Sequence, residues 1–251
     1  MNSSPCADAP LVVLSAVSAE IQMLIDSLSE CQKVAHPVWP VITGRLAGAL
    51  LVCCAAGPGA ANAAGATAAL IERYQPRLVL ITGCGGALAG SGLAVGDLAI
   101  ASEELFADLG VMTQEGWLDM QEMGLPLAVT AGQTLYNRLP LAPQSLEQAL
   151  HCARSLGLKL FKGSFATVAA CSGTSARGEE LVKRYGVICE NMEGAATALI
   201  CLRYSIPCLE IRGISNLVEE RDRSRWDIPA ALLAAQRFVI SFLEQFQRDA
   251  S

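Results

Sequence analysis

The stretch Leu78-Val79-Leu80-Ile81-Thr82-Gly83-Cys84-Gly85-Gly86 joins a continuous apolar run to a cluster of glycines. A short apolar run without polar alternation predicts a β-strand that is buried on both faces, as in a parallel sheet covered by helices. Glycines directly after such a strand let backbone N–H groups approach a ligand closely. The stretch therefore predicts a central strand of an α/β sheet, followed by a glycine turn that either binds a ligand or only packs tightly.

On both sides of this stretch, short apolar runs alternate with amphipathic segments. Further strands are predicted over residues 11–15, 41–44, 50–54, 98–101, 165–169, 187–190 and 209–215. Helices are predicted from about residue 18, over 62–74, 145–156 and 179–184, from about residue 192, and over 229–247. The acidic segment 106–125 is predicted to be a long functional loop. Because no repeat or linker divides the chain, we expect one α/β domain over residues 1–251, with helices on both faces of a parallel or mixed sheet.

Charge and hydropathy exclude several classes of partner. The chain has 18 Lys and Arg against 24 Asp and Glu, a net charge of −6, so no basic face for nucleic acid is expected. Two uncharged stretches, residues 46–71 and 78–96, are broken by glycines, unlike a lipid-spanning helix. The first residues lack the cationic pattern of a signal peptide. We therefore expect neither a membrane nor a nucleic-acid partner.

The ten cysteines are scattered along the chain without a Cys-x-x-Cys motif. The two histidines, His36 and His151, lie outside any plausible ligand cluster. A chain of this length does not need disulfides to stabilise its core, so reduced, buried thiols are the expected state. The pattern predicts a cytoplasmic protein with no metal site.

Ligands of open α/β sheets bind outside the carboxyl ends of the strands, so polar residues that follow predicted strands are the site candidates. Four positions qualify, namely Glu20, Gly83–Gly86, Glu193 and Asn216. A carboxylate in the first turn of a helix is favoured by the helix dipole and stays ionised. Glu20 and Glu193 are therefore either ordinary helix-start acids facing solvent or carboxylates directed into the crevice, where Glu193 could bind vicinal sugar hydroxyls.

A dinucleotide site is the alternative use of a glycine-rich turn. Gly57-Pro58-Gly59-Ala60-Ala61-Asn62 follows a predicted strand but lacks the third glycine of the dinucleotide fingerprint. The strand over 78–82 also ends in Thr82 rather than in an acid. We therefore predict no nicotinamide or flavin, and no cofactor of any kind.

Taken in order, these segments resemble the nucleoside phosphorylase and nucleosidase superfamily over nearly the whole chain. The matching segments are Ala16-Val17-Ser18-Ala19-Glu20, Ile81-Thr82-Gly83-Cys84-Gly85-Gly86, Val95-Gly96-Asp97, Met192-Glu193-Gly194-Ala195 and Ile211-Arg212-Gly213-Ile214-Ser215-Asn216. Within the superfamily the chain is most similar to the futalosine hydrolases. That similarity lies in Ala107-Asp108-Leu109-Gly110 with Glu115-Gly116, Thr167-Val168 with Ser172-Gly173-Thr174, and Ser215-Asn216-Leu217-Val218 with Arg221-Asp222-Arg223 and Trp226.

The resemblance implies a single-domain three-layer sandwich with a twisted mixed β-sheet, assembled as a homodimer or higher homo-oligomer. It also implies catalytic roles for three residues. Glu193 resembles the carboxylate that stabilises the oxocarbenium-like ribose. Glu20 resembles the carboxylate that orients and deprotonates the water, and Asn216 resembles the group that contacts purine N7. The substrate-binding residues that it implies are Cys84, Gly85, Gly86, Cys171, Ser172, Met192, Arg221 and Arg223.

Asn216 stands where the adenosine-type nucleosidases have an aspartate. An amide cannot release a proton, but it can donate to N7 and to a neighbouring carbonyl O6. Asn216 therefore favours a 6-oxopurine such as hypoxanthine over adenine, and we expect solvent to protonate the departing base.

Water is the expected nucleophile, because phosphorolysis needs cations around a dianion. Residues 78–137 contain no Lys or Arg, Cys84 replaces a stronger hydroxyl donor, and Glu20 would repel phosphate.

The resulting expectation is hydrolysis of futalosine, a small-molecule nucleoside, to hypoxanthine and dehypoxanthine futalosine in menaquinone biosynthesis. The substrate benzoate should bind an arginine, for which Arg212, Arg221 and Arg223 are candidates. The alternative is that the charged run 219–227 is a solvated loop whose charged side chains pair with one another. The alternatives are a methylthioadenosine/S-adenosylhomocysteine-type nucleosidase, a purine nucleoside phosphorylase, or a non-catalytic nucleoside-binding module. The second glutamate argues against the last of these, since binding alone needs only the acid at the ribose.

Overall fold

The computed structural model describes residues 9–130 and 132–249. Its strands are β1 (Leu11–Ser15), β2 (Ser29–Val34), β3 (Val41–Leu46), β4 (Ala49–Ala55), β5 (Leu78–Ala87), β6 (Leu98–Phe106), β7 (Gly110–Met112), β8 (Trp117–Asp119), β9 (Ala128–Thr130), β10 (Gln133–Leu135), β11 (Arg138–Pro140), β12 (Leu160–Thr167), β13 (Cys189–Asn191) and β14 (Cys208–Leu217). Its α-helices are α1 (Gln22–Asp26), α2 (Ala60–Tyr74), α3 (Pro143–Ser155), α4 (Ser175–Tyr185), α5 (Gly194–Tyr204) and α6 (Ile228–Arg248).

The main sheet is mixed, and β5 lies at its centre. Nine of its ten strands follow the order β11-β6-β12-β13-β5-β1-β4-β3-β2, and β14 pairs with both β5 and β6. Strand β5 runs parallel to β1 and β14 and antiparallel to β13. The apolar half of β5 is fully buried, because helices cover it on both faces. The predicted central strand is therefore confirmed.

Helices pack on both faces of this sheet and give three layers. On one face, Ala66 and Leu70 of α2 and Ala198 of α5 join the buried core. On the other face, Leu146 of α3 and Phe238 of α6 join a second core cluster. A fully buried phenylalanine or leucine stabilises the fold by about 1.5–3 kcal/mol. The three-layer α/β sandwich with a mixed sheet is confirmed.

Helix α6 is long and apolar enough to cross a membrane by length and composition alone. Its apolar residues form one stripe, and Ala235, Phe238, Val239 and Phe242 on that stripe are buried within the core cluster it shares with β1 and β5. A stripe of this kind is typical of an amphipathic helix that packs on a sheet.

Three local predictions were wrong in informative ways. The glycines of residues 83–86 do not form a turn, because they continue β5 as a strand. The segment 106–125 is not one irregular loop, since β7 and β8 pair within it as an antiparallel hairpin. Glu20 does not open a helix, but ends a 3₁₀ turn over Ser18–Glu20 that precedes α1.

The described cysteines are free thiols, as the spacing predicts; Cys6 lies outside the described residues. Most of them are buried, and burial raises the pKa of Cys53 to about 12 and that of Cys54 to about 11. No cluster of three metal-binding side chains occurs within residues 9–130 and 132–249.

Candidate active site

Glu20 lies just beyond the carboxyl end of β1 and beside Cys84 of β5, and with Glu193 and Arg212 it forms a buried group that we call the floor of the site. Its side chain is only 4% exposed, so it does not face solvent. Oε2 accepts hydrogen bonds from the backbone N–H groups of Ala16 and Val17 at 2.9 and 3.0 Å, and Oε1 accepts one from Cys84 at 3.1 Å. Three backbone donors fix the position of this carboxylate.

Glu193 reaches the floor from the start of α5, where it is the N-cap residue and 5% exposed. Its Oε1 accepts a hydrogen bond from the backbone N–H of Gly59 at 3.0 Å, and its Oε2 lies 3.3 Å from Nη2 of Arg212. The backbone of Glu193 is held as well, because its N–H donates to Oδ1 of Asn191 at 2.9 Å. The fold therefore holds this acid at both ends.

Arg212, on β14, connects the two acids. Its Nη1 donates to the carbonyl oxygen of Cys84, whose own N–H binds Glu20, while Nη2 contacts Glu193. Burial alone would lower the pKa of Arg212, but the charges of Glu210, Glu193 and Glu20 outweigh burial and raise it. The arginine is thus a fixed cation, 1% exposed and already paired with acids, rather than a free site for the substrate's distal carboxylate.

The glycines of β5 make room for these side chains. A β-carbon on Gly83 would lie 2.3 Å from Oε1 of Glu20, and one on Gly85 would lie 2.6 Å from Sγ of Cys189. Both distances are far below van der Waals contact, so the close approach requires glycine at both positions. Cys84 between them is half-buried; burial and then the charge of Glu20 raise its pKa, which keeps it a thiol.

A second group of polar side chains lies around Gly86. This glycine pairs with Glu190 of β13 on one side and with Asn216 of β14 on the other. A β-carbon on Gly86 would lie 3.2 Å from Cγ of Glu190 and 3.3 Å from Nδ2 of Asn216. The register of β14 shifts between Ile214 and Asn216, and a bulge of this kind redirects a side chain. Glu190 and Asn216 therefore lie on either side of the space left by the missing side chain of Gly86.

Ser172 and Cys171 reach this second group from the loop after β12. The backbone N–H of Ser172 donates to both oxygens of Glu190, at 3.1 and 3.3 Å. The hydroxyl of Ser172 is buried and has no partner in the part of the chain that the structure describes. Burial raises the pKa of Glu190, which also feels the charge of Arg221, whereas Cys171 is exposed.

The remaining predicted residues are Met192, Arg221 and Arg223. Met192 is half-buried between Asn191 and Glu193. Arg221 and Arg223 are both exposed, and the guanidinium of Arg221 stacks on the ring of Trp226 at 5.2 Å. Segment 219–227 also pairs internally, since Arg225 lies 2.8 Å from Glu219. The structure thus brings Arg221 to the rim of the site and places Arg223 in an exposed 3₁₀ turn.

A cavity of about 570 Å³ opens beside the segments that hold the two acids. Its walls include residues 16–18, which hold Glu20, and residues 57–58, next to the glycine that binds Glu193. The apolar side chain of Trp39 and the polar side chain of Asn62 also line the cavity. The cavity is large enough for a substituent that extends outward from a bound sugar.

Sequence analysis missed several buried polar residues of this region. Glu190 was assigned only to the end of a strand. Glu104 and Glu210 lie inside strands β6 and β14 and are fully buried, and their spacing carries no signal of a site. Asn191 and Thr167, which bind Glu104, were missed for the same reason. A charged residue inside an otherwise continuous apolar strand was the one available signal, because such residues are rarely buried unless they are paired.

Comparison with known proteins identifies the family of the chain. The model of the Phosphorylase superfamily matches residues 10–247. A futalosine hydrolase of Acidothermus cellulolyticus is 33% identical over 222 residues, covering 88% of this chain and 85% of that protein. A futalosine hydrolase of Thermus thermophilus is 35% identical over 189 residues, covering 75% and 79% of the two chains.

A solved structure gives the same fold. The 5'-methylthioadenosine/S-adenosylhomocysteine nucleosidase of Neisseria meningitidis, crystallised with methylthio-immucillin-A, superposes with a TM-score of 0.82. It is 26% identical, and the match covers 94% of this chain and 99% of that one.

Proposed function

The chain belongs to the Phosphorylase superfamily and is an N-glycosyl hydrolase of the nucleosidase type, and from that premise we propose that its substrate is futalosine. The reaction would release hypoxanthine and leave dehypoxanthine futalosine. The observation that carries the proposal is the pair of buried glutamates, Glu20 and Glu193, joined through one arginine at the floor of the site. We assign the reaction to menaquinone biosynthesis in the cytoplasm, without a cofactor.

The ribose would lie against Glu193. Cleavage of an N-ribosidic bond builds positive charge on the anomeric carbon, and a fixed carboxylate stabilises that charge without reorganising. Gly59 and Arg212 hold the carboxylate of Glu193 in place before the substrate arrives. The oxygens of Glu193 that remain accessible can accept hydrogen bonds from the vicinal hydroxyls of the sugar.

Glu20 would act on the nucleophilic water. The water oxygen bonds to the anomeric carbon while the bond from that carbon to the purine nitrogen breaks, and the electron pair leaves with the purine. Glu20 accepts one proton of the water, and solvent supplies a proton to the departing base. The three backbone donors hold Glu20 in position, and the proton transfer is coupled to the positive charge that develops on the ribose.

Glu190 and Asn216 would recognise the base. A 6-oxopurine presents O6 and N7 as acceptors and N1–H as a donor, whereas a 6-aminopurine presents a donor at the 6-position and an acceptor at N1. The amide of Asn216 can donate to N7 and O6, and an ionised Glu190 can accept from N1–H. Their common position beside Gly86 supports hypoxanthine as the leaving base.

Hydrolysis is favoured over phosphorolysis by the state of Arg212. A phosphate dianion needs cations with unused charge, but Arg212 is bound to Glu210 at 2.8 Å and to Glu193 at 3.3 Å. Glu20 adds negative charge next to it.

The deciding experiment is a chromatographic assay of base release from futalosine, aminofutalosine, methylthioadenosine and inosine, each with and without phosphate. We expect hypoxanthine from futalosine at the highest kcat/KM, with no requirement for phosphate. Faster release of adenine from methylthioadenosine would favour the second candidate, a methylthioadenosine/S-adenosylhomocysteine nucleosidase, which the match to the Neisseria meningitidis enzyme supports. A requirement for phosphate would contradict both.

We also propose that the chain works as a homodimer or higher homo-oligomer. The β7–β8 hairpin exposes Val111, Met112 and Leu118, with Met112 69% exposed. Clustered exposed apolar side chains often mark protein interfaces. Sedimentation of the purified chain tests this, and Met112→Asp should shift the population toward monomer.

A further inference from the structure

Behind Glu193 lies a second pair of carboxyl groups, Glu104 on β6 and Glu210 on β14. Both are 0% exposed, and the two carboxyl groups lie within hydrogen-bonding reach of each other. They meet beside Gly194: a β-carbon there would lie 2.1 Å from Oε2 of Glu210 and 2.4 Å from Oε1 of Glu104. The missing side chain of Gly194 is therefore what allows the two groups to meet.

Two ionised carboxylates cannot remain in contact at a fully buried site, so the pair must hold a proton. Burial, and then the neighbouring charge of Glu210, raise the pKa of Glu104 well above its ordinary value. Because the two groups are coupled, the raised value belongs to the pair rather than to one residue.

The hydrogen bonds show where that proton lies. Oδ1 of Asn191 accepts from the backbone of Glu193 and Gly194, so its Nδ2 must donate, and it donates to Oε1 of Glu104 at 2.6 Å. The hydroxyl of Thr167 lies 2.7 Å from Oε2 of Glu104 and 3.2 Å from Oδ1 of Asn191; because that Oδ1 already accepts two backbone N–H groups, the hydroxyl donates to the nearer oxygen, Oε2 of Glu104. Both oxygens of Glu104 are thus acceptors.

Glu210 is bonded in a complementary way. Its Oε1 accepts from Nε of Arg212 at 2.8 Å, while its Oε2 is buried and meets no donor within the described residues. An oxygen without a donor that faces an acceptor is the oxygen that carries the hydrogen.

These contacts close a ring around Glu193. Starting from its backbone N–H, the ring runs through Asn191, Glu104, Glu210 and Arg212 and returns to the carboxylate of Glu193. Each member holds the next, so the ring sets both the backbone and the side chain of the proposed ribose-binding acid.

We propose that Glu104 and Glu210 share one proton, carried on Oε2 of Glu210 and donated to Glu104, and that this pair is a positioning element for Glu193. Its catalytic consequence rests on the proposed function. The proton itself does not, because it follows from contacts within the chain.

The other groups around the pair do not supply an alternative. The charged and ionisable side chains around the pair are Arg212, Cys189 and Cys208, with Glu193 beyond Arg212 and Cys201 beside Cys208. Arg212 is the one cation among them, and it is already bound to Glu210 and Glu193. Burial holds the pKa of Cys189 well above its ordinary value, and a hydrogen bond with Cys201 does so for Cys208.

Two isosteric substitutions separate the roles. In Glu210→Gln, the amide N–H₂ replaces the protonated oxygen and donates to Glu104, while the amide oxygen still accepts from Arg212. We expect kcat to stay within about 3-fold of wild type.

In Glu104→Gln, the new N–H₂ must face either Asn191 Nδ2 or the Thr167 hydroxyl, and the ring breaks. We expect kcat for base release to fall by about 10-fold or more, as when a positioned charge is lost.

Glu103→Gln is the matched control, because Glu103 is the neighbouring carboxylate on β6 and pairs with Arg138 and Ser164 outside the ring. It should leave kcat unchanged. If Glu104→Gln and Glu210→Gln lowered kcat equally, the loss would reflect altered packing alone. If Glu210→Gln lowered kcat more than Glu104→Gln, the proton would lie on Glu104. Either result overturns the proposal.

Thermal unfolding against pH tests the proton without any substrate. The folded pair keeps a proton that an unfolded glutamate releases above about pH 4.3. Folding therefore takes up a proton, and this contribution to stability is lost as pH rises toward the raised pKa of the pair. Glu210→Gln removes the proton, so its Tm relative to wild type should increase steadily between about pH 5 and pH 8.

A constant difference in Tm over that range would show that no proton is shared. The two failures are distinguishable: a wild-type protein that ignores futalosine refutes the proposed function, whereas the Tm series judges the carboxyl pair alone.

Discussion

The acids at the floor of the site and the arginines at its rim are held by the fold to very different degrees. Glu20 and Glu193 are 4% and 5% exposed, and each of their carboxylate oxygens has a backbone or arginine partner. Arg221 and Arg223 are exposed, on a segment that binds mainly to itself. Groups that act at the bond being broken are thus preorganised, whereas groups that could reach the distal end of the substrate are left to solvent. Substitutions at the floor should therefore affect kcat, and those at the rim only KM.

The largest effect should come from the floor. Glu20→Gln and Glu193→Gln should each lower kcat by at least about 100-fold, because each removes an acid/base group or a preorganised charge. The exposed carboxylate Glu30 provides the control, since Glu30→Gln removes only a surface ion pair with Arg45. Rates near those of wild type in either floor variant would remove that residue from the mechanism.

Gly83→Ala should displace the carboxylate of Glu20 without removing any charge. The added β-carbon would lie 2.3 Å from Oε1 of Glu20, so the carboxylate must move away from the N–H of Cys84. We expect kcat to fall by about 10-fold to 100-fold, as for loss of one oriented donor or acceptor at a reacting centre. Steady-state kinetics and a crystal structure of the variant check this; an unmoved Glu20 together with reduced activity would point to another cause.

Asn216→Asp tests how the site distinguishes a 6-oxopurine from a 6-aminopurine. An aspartic acid can donate a proton to N7, so the ratio of adenine to hypoxanthine release from paired substrates should rise by roughly 10-fold. Glu190→Gln should change the ratio in the same direction, because the amide can donate to N1 of an aminopurine. An unchanged ratio in both variants would refute the base-recognition argument.

The smallest effect is expected at the rim. Arg221→Ala should raise KM for futalosine by about 2-fold to 5-fold and leave KM for inosine unchanged, since an exposed ion pair contributes only about 0–1 kcal/mol. The effect should weaken as salt increases. Arg223→Ala serves as the comparison, because Arg223 lies further along the exposed turn. A large loss of kcat in Arg221→Ala would mean that the segment closes over the substrate.

The sequence determined the layers, the central strand and the candidate acids, because these depend on local patterns. A buried strand has to be apolar, a core helix has to be amphipathic, and ligands of an α/β sheet collect where strands end. From those rules the run 78–82, helix α6 and the pair Glu20 and Glu193 could be found without coordinates.

What the sequence could not determine is which distant groups meet. Residues 83–86 appeared to be a turn because glycine usually interrupts a strand. Only the pairing with β13 and β14 continues β5 through them, and only the crowding by Glu20 and Cys189 explains why they are glycines. The bond from Cys84 to Glu20 and the ring from Asn191 to Arg212 join residues far apart in the chain. Hydrogen bonds and shared protons depend on distances of a few tenths of an ångström, and those distances exist only after the sheet and helices have packed.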